Sequence, residues 1–386
     1  MKNIKLLNKI SKAGTDLFNK DLYNVSEDVE NPDGIMVRSA VMHDMEFGSN
    51  LRAIARAGAG VNNIPLDRCA EAGIVVFNTP GANANGVKEL TLAALLLASR
   101  DIVAGVQWAE SLKGQEGVAK LVEKGKSKFA GHEIAGKTLG VIGLGAIGGM
   151  VANTAVRLGM KVMGYDPYVS VDAAWSLSHH VAKATSYDDI YKNSDYITIH
   201  VPSTPETKGM ICAEKFAMMK DGVRIINLAR ADLVNSDDIK AAIADGKVAR
   251  YVTDFPTDEM IGVEHVITIP HLGASTEESE DNCAAMAATE LMEFLENGNI
   301  KNSVNFPNVI VPHTGDARIC VLHKNVPSML SQITKLISDG NVNIENLVNR
   351  SRGDYAYTLV EVKGSVPANI PDEITAMENV IRVNVI

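Results

Sequence analysis

The chain has 386 residues, of which 46% are hydrophobic and 22% charged, and its formal net charge is −10. This length predicts two or three domains, each large enough to bury a core of its own. The acidic balance argues against a nucleic-acid binder, because no basic excess is present to displace counterions from phosphate. No apolar stretch approaches the length of a membrane span, so we expect no membrane contact.

The cysteines and the N-terminal residues are typical of a cytoplasmic protein. No two of the four cysteines have the CxxC or finger-like spacing of a metal site, and no disulfide framework is indicated. The first residues, MKNIKLLNKISKAG, carry lysines throughout and lack the apolar core of a signal peptide. We therefore expect a cytoplasmic location, reduced thiols and no bound metal.

Short apolar strands come first along the chain. They are predicted at 34–40, 52–58 and 73–80, and each is followed by a polar or glycine-containing turn. Apolar residues at helical spacing then predict one long helix from Leu90 to Leu112. The lysine-rich stretch that follows, 116–131, is predicted as a loop or a short helix.

From Lys137 to about residue 280, strands and helices alternate. Apolar strands are predicted at 138–143, 161–166, 196–202, 223–229, 250–255 and 265–270. Ser236 is predicted to cap a helix over 236–246, and a long helix is predicted over 275–297. Near-continuous apolar strands that alternate with helices indicate an α/β fold with a doubly wound parallel sheet.

The order of the elements changes from residue 312 onward. Strands are predicted at 318–325, 342–351, 355–364 and 381–386, and helices at 327–340 and 370–380. This βαββαβ order is that of a small, complete domain with its own core.

The hexapeptide GLGAIG, residues 143–148, follows a predicted strand and opens a predicted helix, and Asp166 ends the next strand. Gly143 permits a tight turn, Gly145 lets the backbone approach a pyrophosphate, and Gly148 allows close packing of helix on strand. The helix N-terminus attracts phosphate, while Asp166 would bind ribose hydroxyls and repel a 2′-phosphate. Glycine turns that only close strand–helix packing share the short motif, but the complete order favours NAD as the cofactor.

Polar residues follow the later strands, at the edge where parallel sheets place active sites. Arg230, Asp254 and His271 each come at or just after a strand end, and Glu259 lies in the intervening loop. Oxidation of a hydroxy acid needs a base, a cation for the carboxylate and a partner for the base, which His271, Arg230 and Glu259 could supply in that order. Each residue alone is equally typical of an ordinary loop, so spacing leaves these roles open.

Longer motifs resemble a known family. INLARADLV and IPHLGAST are similar to signatures of the D-2-hydroxyacid dehydrogenases, and VRSA, ARAGAGVNNI and NTPGANANGVKEL are similar to those of the phosphoglycerate dehydrogenases. The resemblance covers nearly the whole chain. It implies a Rossmann NAD-binding domain at 95–281 and a flavodoxin-like substrate domain at 1–94 with 282–311. The implied reaction is the oxidation of 3-phospho-D-glycerate by NAD to 3-phosphohydroxypyruvate, the first step of serine synthesis.

The resemblance also implies roles for individual residues. Arg230 would orient the substrate carboxylate, and His271 would exchange a proton with the 2-oxygen. Glu259 would pair with the imidazole, and Asp254 would lie beside the nicotinamide. Further cofactor contacts are implied at Ala146, Ile147, Val201, Leu228, Ala229, Gly273 and Ala274. The substrate carboxylate and phosphate would be bound by Arg38, Arg56, Ala57, Gly58, Ala59, Gly60 and Asn78.

Two departures from the family pattern leave the partner of His271 open. Met260 stands where the family usually has proline, and the loop from Asp254 to His271 is short. Asp258 therefore remains an alternative to Glu259.

The segment 312–386 resembles an ACT domain, the amino-acid-sensing module of many of these enzymes. His323 and Asn325, expected in the first strand-to-helix turn, and Asn343, expected in the next strand, match serine-binding positions. This implies L-serine as an effector, although Ser328 stands where glycine is usual. The alternative is a domain that pairs edge strands between copies and binds no ligand.

Two other functions remain open at this point. The chain could act on a different D-2-hydroxy acid, such as glycerate, lactate or 2-hydroxyglutarate, for which Arg38 and Arg56 would be superfluous. It could instead be a non-catalytic NAD-sensing scaffold, like the corepressors of the same fold. In each case we expect a homo-oligomer, a dimer or tetramer, without a nucleic-acid partner.

Overall fold

The computed structural model describes residues 1–386. The chain forms two compact units, the first made of Met1–Ala82 with Glu280–Ile386 and the second of Asn83–Ser279. None of the helices combines the length and the apolar character that crossing a bilayer would require.

The N-terminal part of the first unit is a five-stranded parallel sheet. Its strands follow the spatial order β2-β1-β3-β4-β5, which is the flavodoxin-like order. The strands are β1 Lys2–Leu7, β2 Tyr23–Ser26, β3 Gly34–Val37, β4 Ala53–Arg56 and β5 Val75–Phe77, and the helices are α1 Lys12–Thr15 and α2 Leu66–Glu71. Every residue of β3 is buried, as expected for a central strand covered on both faces.

The second unit is built on a seven-stranded parallel sheet of order β12-β11-β10-β9-β6-β7-β8. Its strands are β6 Thr138–Ile142, β7 Lys161–Tyr165, β8 Val181–Lys183, β9 Tyr196–Ile199, β10 Val223–Asn227, β11 Val248–Thr253 and β12 Val266–Thr268. Its helices are α3 Ala84–Ser99, α4 Ile102–Ser111, α5 Val118–Gly125, α6 Ala146–Arg157, α7 Val171–Trp175, α8 Tyr187–Asn193, α9 Ala213–Met218 and α10 Ser236–Ala244. The predicted doubly wound parallel sheet is confirmed, with its topological switch point between β6 and β9.

The prediction of one helix from Leu90 to Leu112 is wrong, because the structure has α3 and α4 with a break between them. Arg100 is extended, with φ −131° and ψ 142°, and the carbonyl of Ser99 accepts a hydrogen bond from the His132 amide at 3.0 Å. α3 buries eight of its sixteen residues, whereas α4 buries none. Because both helices have apolar positions at the same spacing, hydrophobic periodicity did not reveal the break.

The predicted N-cap of α10 is also displaced by one residue. The side-chain oxygen of Asn235 accepts from the amides of Asp237 at 3.1 Å and Asp238 at 3.0 Å. Ser236 is instead the first helical residue. Asn and Ser cap helices about equally well, so two adjacent capping residues leave the start of a helix ambiguous in sequence.

Helix α11, Glu277–Asn297, leads into the rest of the first unit. The predicted βαββαβ domain is present: a four-stranded antiparallel sheet of order β14-β15-β13-β16. Its elements are β13 Ala317–Lys324, α12 Met329–Asp339, β14 Asn343–Arg352, β15 Tyr355–Lys363, α13 Asn369–Thr375 and β16 Val380–Val385. α12 and α13 pack on one face of this sheet through Ile333, Ile337, Ile370 and Ile374.

The other face of this sheet joins the core of the N-terminal part. Cys320, Leu322 and Tyr357 pack in one hydrophobic cluster with Phe294 and Phe306. The Tyr357 hydroxyl donates to the carbonyl of Gly298 at 2.6 Å. The C-terminal domain is therefore built into the first unit and does not hang from it on a loose linker.

A buried carboxyl group on α11 gives a pH-dependent prediction. Glu290 is 5% exposed, and burial raises its pKa to about 7; Asn302 donates to one oxygen at 2.6 Å and the other has no partner. A raised pKa stabilises the folded state below the unfolded value of 4.5, and this contribution is lost as the pH rises through 7.

We therefore expect Glu290→Gln to gain stability relative to the parent between pH 5 and pH 8, by up to about 3 kcal/mol, in urea unfolding. Glu278→Gln, which changes an exposed residue of the same helix, is the control and should show no such trend. A stability difference that stays constant over this pH range would contradict the prediction.

Candidate active site

The glycine turn lies at the topological switch point of the large sheet. Gly143 follows β6 with φ +87°, and a side chain there would meet the carbonyl of His200, the first residue after β9. A side chain at Gly148 would strike the carbonyl of Gly143, so this helix packs against the turn only with glycine. A Cβ at Gly145 would have open space around it. The N-terminus of α6 therefore has an unobstructed approach for a pyrophosphate, and its free amides and dipole favour that group.

Asp166 lies at the end of β7, beside the same turn. One carboxylate oxygen accepts from the amide of Leu144 at 2.9 Å, and the other accepts from the amide of Tyr168 at 2.8 Å. Each oxygen retains a lone pair for a ribose hydroxyl. The glycine turn and this carboxylate together fit the dinucleotide that the sequence predicts.

We expect Asp166→Asn to lower kcat/KM for NAD by about 10-fold, because a hydrogen bond to a charged group is worth about 1.5–3 kcal/mol. The discrimination against NADP should fall at the same time, since the negative charge that repels a 2′-phosphate is removed. Initial rates with both cofactors measure this, and Asp172→Asn, at an exposed position of α7, is the control. An unchanged cofactor preference would contradict the assignment of Asp166.

Two of the predicted catalytic residues and one predicted cofactor contact lie at one edge of the sheet. Arg230, Asp254 and His271 follow β10, β11 and β12, which are neighbouring parallel strands. Asp254 is 1% exposed, and burial raises the pKa of its carboxyl while the nearby charges of His271 and Arg230 lower it. The His271 ring lies 4.6 Å from the ring of Phe255. The buried carboxyl group thus has both His271 and Arg230 within electrostatic reach.

Asp254 itself is held by the loop that carries His271. Its Oδ2 accepts from the amide of Gly273 at 3.4 Å, and its Oδ1 has no hydrogen-bond partner although it is buried. An unpartnered buried oxygen at such an edge is available to a bound molecule. This is the position that the resemblance assigns to the nicotinamide.

Glu259 and Asp258 do not contact His271 in this structure. Both are exposed in a turn between β11 and β12, and neither forms a hydrogen bond or ion pair with the imidazole. Met260 is 4% exposed and packs into the core cluster of the large sheet. The residue that replaces the family's proline therefore anchors this turn, and the partner of His271 stays a prediction.

The predicted substrate residues of the first unit lie together. Arg38 and Arg56 follow or end β3 and β4, and the Arg56 Nε donates to the carbonyl of Arg38 at 3.1 Å. Asn78 donates from its side chain to the carbonyl of Ala59 at 2.6 Å. Gly58 has φ +154°, and a side chain there would collide with the Arg56 guanidinium. These contacts hold the turn 57–60 beside the two arginines, and the φ of +154° at position 58 favours glycine there.

Sequence reasoning missed two residues near these groups. Glu280, on α11, forms an ion pair with Arg38 at 2.7 Å. Burial lowers the pKa of His200 to about 4, so this residue beside the glycine turn is neutral at physiological pH. Nothing in the sequence linked Glu280 to Arg38, because the two residues are far apart along the chain. His200 lies near the end of a predicted strand of the parallel sheet, and this position could have marked it as a site residue.

The three predicted serine-binding residues do not converge within one chain. His323 is buried inside β13 and not in the following turn; its Nδ1 contacts the Lys324 carbonyl at 2.7 Å and its Nε2 contacts the Thr358 hydroxyl at 2.8 Å. Asn325 donates to the carbonyl of Gly353, just beyond the far end of β14. Asn343 is the first residue of β14, so it lies about 30 Å away along that strand.

The model of the D-isomer specific 2-hydroxyacid dehydrogenase NAD-binding domain matches residues 92–273. A protein from Schizosaccharomyces pombe, provisionally named a D-3-phosphoglycerate dehydrogenase, is 32% identical over 84% of this chain and 72% of its own length. The chain therefore belongs to the D-isomer specific 2-hydroxyacid dehydrogenase family, a class of NAD-binding oxidoreductases.

Two further relatives of this class carry the name of one particular enzyme. The D-3-phosphoglycerate dehydrogenase of Methanocaldococcus jannaschii is 35% identical over 89% of this chain, and the chain spans 64% of that protein's length. The NAD⁺-bound 3-phosphoglycerate dehydrogenase of Entamoeba histolytica superposes with a TM-score of 0.61 and 26% identity, over 79% of this chain and 98% of that one. Within the family, these relatives are phosphoglycerate dehydrogenases.

Proposed function

We propose that the chain is an NAD-dependent dehydrogenase that oxidises 3-phospho-D-glycerate to 3-phosphohydroxypyruvate, the first step of phosphorylated serine synthesis. The observation that carries the proposal is the grouping of Arg230, Asp254 and His271 at the carboxyl edge of three neighbouring strands. The names of the relatives support this substrate.

In the proposed reaction, an NAD held by the turn 143–148 and Asp166 would supply the hydride acceptor for C2 of the substrate. Arg230 binds the substrate carboxylate and polarises the 2-oxygen through its guanidinium donors. The imidazole of His271 accepts the proton of the 2-hydroxyl as the C–H bond breaks. Glu259, or alternatively Asp258, pairs with the resulting imidazolium once substrate is bound.

The proposed phosphate site uses Arg38 and Arg56. Two guanidinium groups beside the turn 57–60 favour a phosphorylated substrate over glycerate, lactate or 2-hydroxyglutarate, which have no phosphate to neutralise. Arg38 also pairs with Glu280 at 2.7 Å, so its guanidinium is shared between that carboxylate and the proposed phosphate.

The direct test is NADH production from a panel of phosphorylated and plain D-2-hydroxy acids. Turnover of 3-phosphoglycerate well above that of every unphosphorylated acid is expected. Faster turnover of a plain acid would favour the alternative dehydrogenase. No turnover, with NAD still bound and Arg230→Ala indistinguishable from the parent, would favour the sensing scaffold.

We expect Arg38→Ala to lower kcat/KM for 3-phosphoglycerate by at least about 10-fold, because a charge-assisted hydrogen bond to the phosphate is lost. The kcat/KM for D-glycerate should change little, since that acid has no phosphate. Arg52→Ala, which removes an arginine paired with Asp33 on the same sheet, is the matched control. Equal losses on both substrates would remove Arg38 from the phosphate site.

We propose that the enzyme is a homo-oligomer in which two C-terminal domains pair through β14. This strand is an edge of the small sheet, and its last residue, Arg352, donates to the carbonyl of Ser303 at 2.7 Å. The other edge, β16, is bonded to the N-terminal part by Arg382, which donates to the carbonyls of Leu51 and Ser49. Antiparallel pairing of two β14 strands would bring Asn343 of one copy beside Asn325 of the other. The separation of these residues within one chain supports this arrangement.

L-serine is the proposed effector of such a paired site. Asn343 and Asn325 offer amide oxygens for an ammonium group and amide donors for a carboxylate. His323, whose ring is buried and bonded on both nitrogens, would support the site from inside the sheet. Assays of the same panel with and without serine, at equal protein concentration, test the effector; unchanged rates and unchanged melting temperature would exclude it.

We also propose a cytoplasmic location, which the four free cysteines support. The net charge of −10 speaks against a nucleic-acid partner.

A further inference from the structure

A buried polar side chain, that of Asn227, lies next to the candidate active site and has no part in the proposed reaction. Asn227 is the last residue of β10 and is completely buried. It lies directly before the segment 228–230, which ends in Arg230. Buried amide side chains at the end of an apolar strand need partners for both their donor and their acceptor groups.

The Asn227 amide finds these partners in the following backbone. Its Nδ2 donates to the carbonyl of Arg230 at 2.8 Å, and its Oδ1 accepts from the amides of Ala229 at 3.2 Å and Arg230 at 3.4 Å. Nδ2 also lies 3.3 Å from the hydroxyl of Tyr251 on the neighbouring strand. The side chain therefore clamps the backbone of Arg230 by binding both its N–H and its C=O, and the Tyr251 hydroxyl contacts the Asn227 amide nitrogen.

This clamp acts on the orientation of the guanidinium group. Arg230 is extended, with φ −156° and ψ 144°, and its Nη1 donates to the carbonyl of Ala229 at 2.6 Å. Asn227 thus fixes the peptide group between Ala229 and Arg230, and the exposed Arg230 side chain donates to the carbonyl of that same peptide group. Aspartate lacks the donor for the Arg230 carbonyl, and alanine lacks both functions, so only an amide of this length makes all three bonds.

We propose that Asn227 is a positioning residue of the dehydrogenase, which holds the backbone of Ala229 and Arg230 so that the Arg230 guanidinium is pre-oriented for the substrate carboxylate. This inference rests on the proposed function. Its physical basis is that a misplacement of about 1 Å in a substrate-binding group costs about 100-fold in rate, even when the change lies away from the chemistry.

The test compares Asn227→Ala with Ile225→Val, a matched control on the same strand and face that is also fully buried. We expect Asn227→Ala to lower kcat/KM by at least about 10-fold, and the control by less than about 2-fold. In an Arg230→Ala background, adding Asn227→Ala should lower kcat/KM no further, because its effect passes through the arginine. Additive losses would show a merely structural role and overturn the proposal.

Amide hydrogen exchange provides a readout that does not depend on turnover. The amides of Ala229 and Arg230 should exchange faster in Asn227→Ala than in the parent, while the amides of β9 remain protected. Unchanged exchange at both positions would overturn the clamp even in an active enzyme. A parent protein without any hydroxy-acid turnover would instead refute the proposed function, and exchange would still decide the clamp.

If Asn227→Ala does not fold, Tyr251→Phe provides a milder variant. It removes the contact behind the clamp and leaves the three bonds to the backbone in place. A smaller loss of kcat/KM, about 3-fold, is expected with faster exchange at Arg230. Faster exchange at Arg230 without any loss of kcat/KM would overturn the proposal.

Discussion

Replacing His271 with asparagine should lower kcat for hydroxy-acid oxidation by about 10²–10⁴-fold, the usual contribution of a general base. The residue follows β12 beside Asp254 and packs its ring against Phe255, so asparagine loses the proton acceptor while the loop keeps its anchors. Steady-state rates with saturating NAD measure the effect.

His265→Asn is the matched control for this variant. His265 precedes β12, is about half exposed and pairs only with Glu264, at 3.6 Å. Its substitution should leave kcat within about 2-fold, since a weak surface pair contributes little. A His271→Asn enzyme that retained more than a tenth of the parent's kcat would remove His271 from the role of base.

Replacing Arg318 with methionine should destabilise the protein by about 3–5 kcal/mol, because one partner of a fully buried ion pair is removed and the other is left uncompensated. Arg318 and Glu361 are both inaccessible to solvent and meet at 2.9 Å. The guanidinium also donates to the carbonyls of Val311 at 2.7 Å and Asn297 at 2.5 Å. One side chain of β13 thus binds the end of α11 and the segment that leads into the small sheet.

The ionisation of Glu361, the other member of this pair, also depends on its neighbours. Burial opposes ionisation of Glu361, but hydrogen bonds from Thr314 and Arg318 lower its pKa to about 2. A lowered pKa contributes stability that is present above the unfolded value of 4.5 and is lost as the pH falls through 2. Part of the stability of the first unit should therefore disappear in acid.

Urea unfolding measures the Arg318→Met loss, with Lys335→Met as control, since Lys335 is exposed on α12 of the same domain. The double variant Arg318→Met/Glu361→Met should recover part of the loss, because no buried charge is left unpaired. If Arg318→Met were as stable as the control, the buried pair would not hold the C-terminal domain to the rest of the unit.

How far the fold could be predicted depended on whether the relevant signal was local. The alternating apolar strands and the glycine turn are local, and the parallel sheet and the βαββαβ order followed from them. The break at Arg100 was missed because the helices on either side of it have the same hydrophobic periodicity. The α10 cap was misplaced because its two adjacent residues can both cap a helix.

The amino-acid sequence by itself determined the kinds of elements, the cofactor turn and the residues that follow β10, β11 and β12, since hydrophobic period and turn chemistry are properties of short segments. Only the tertiary structure decided that Asn227 clamps the Arg230 peptide, that Glu280 pairs with Arg38 and that Arg318 joins the C-terminal domain to α11. These contacts depend on directions in which buried side chains point, and on residues far apart along the chain. Packing sets both, and no local pattern encodes them.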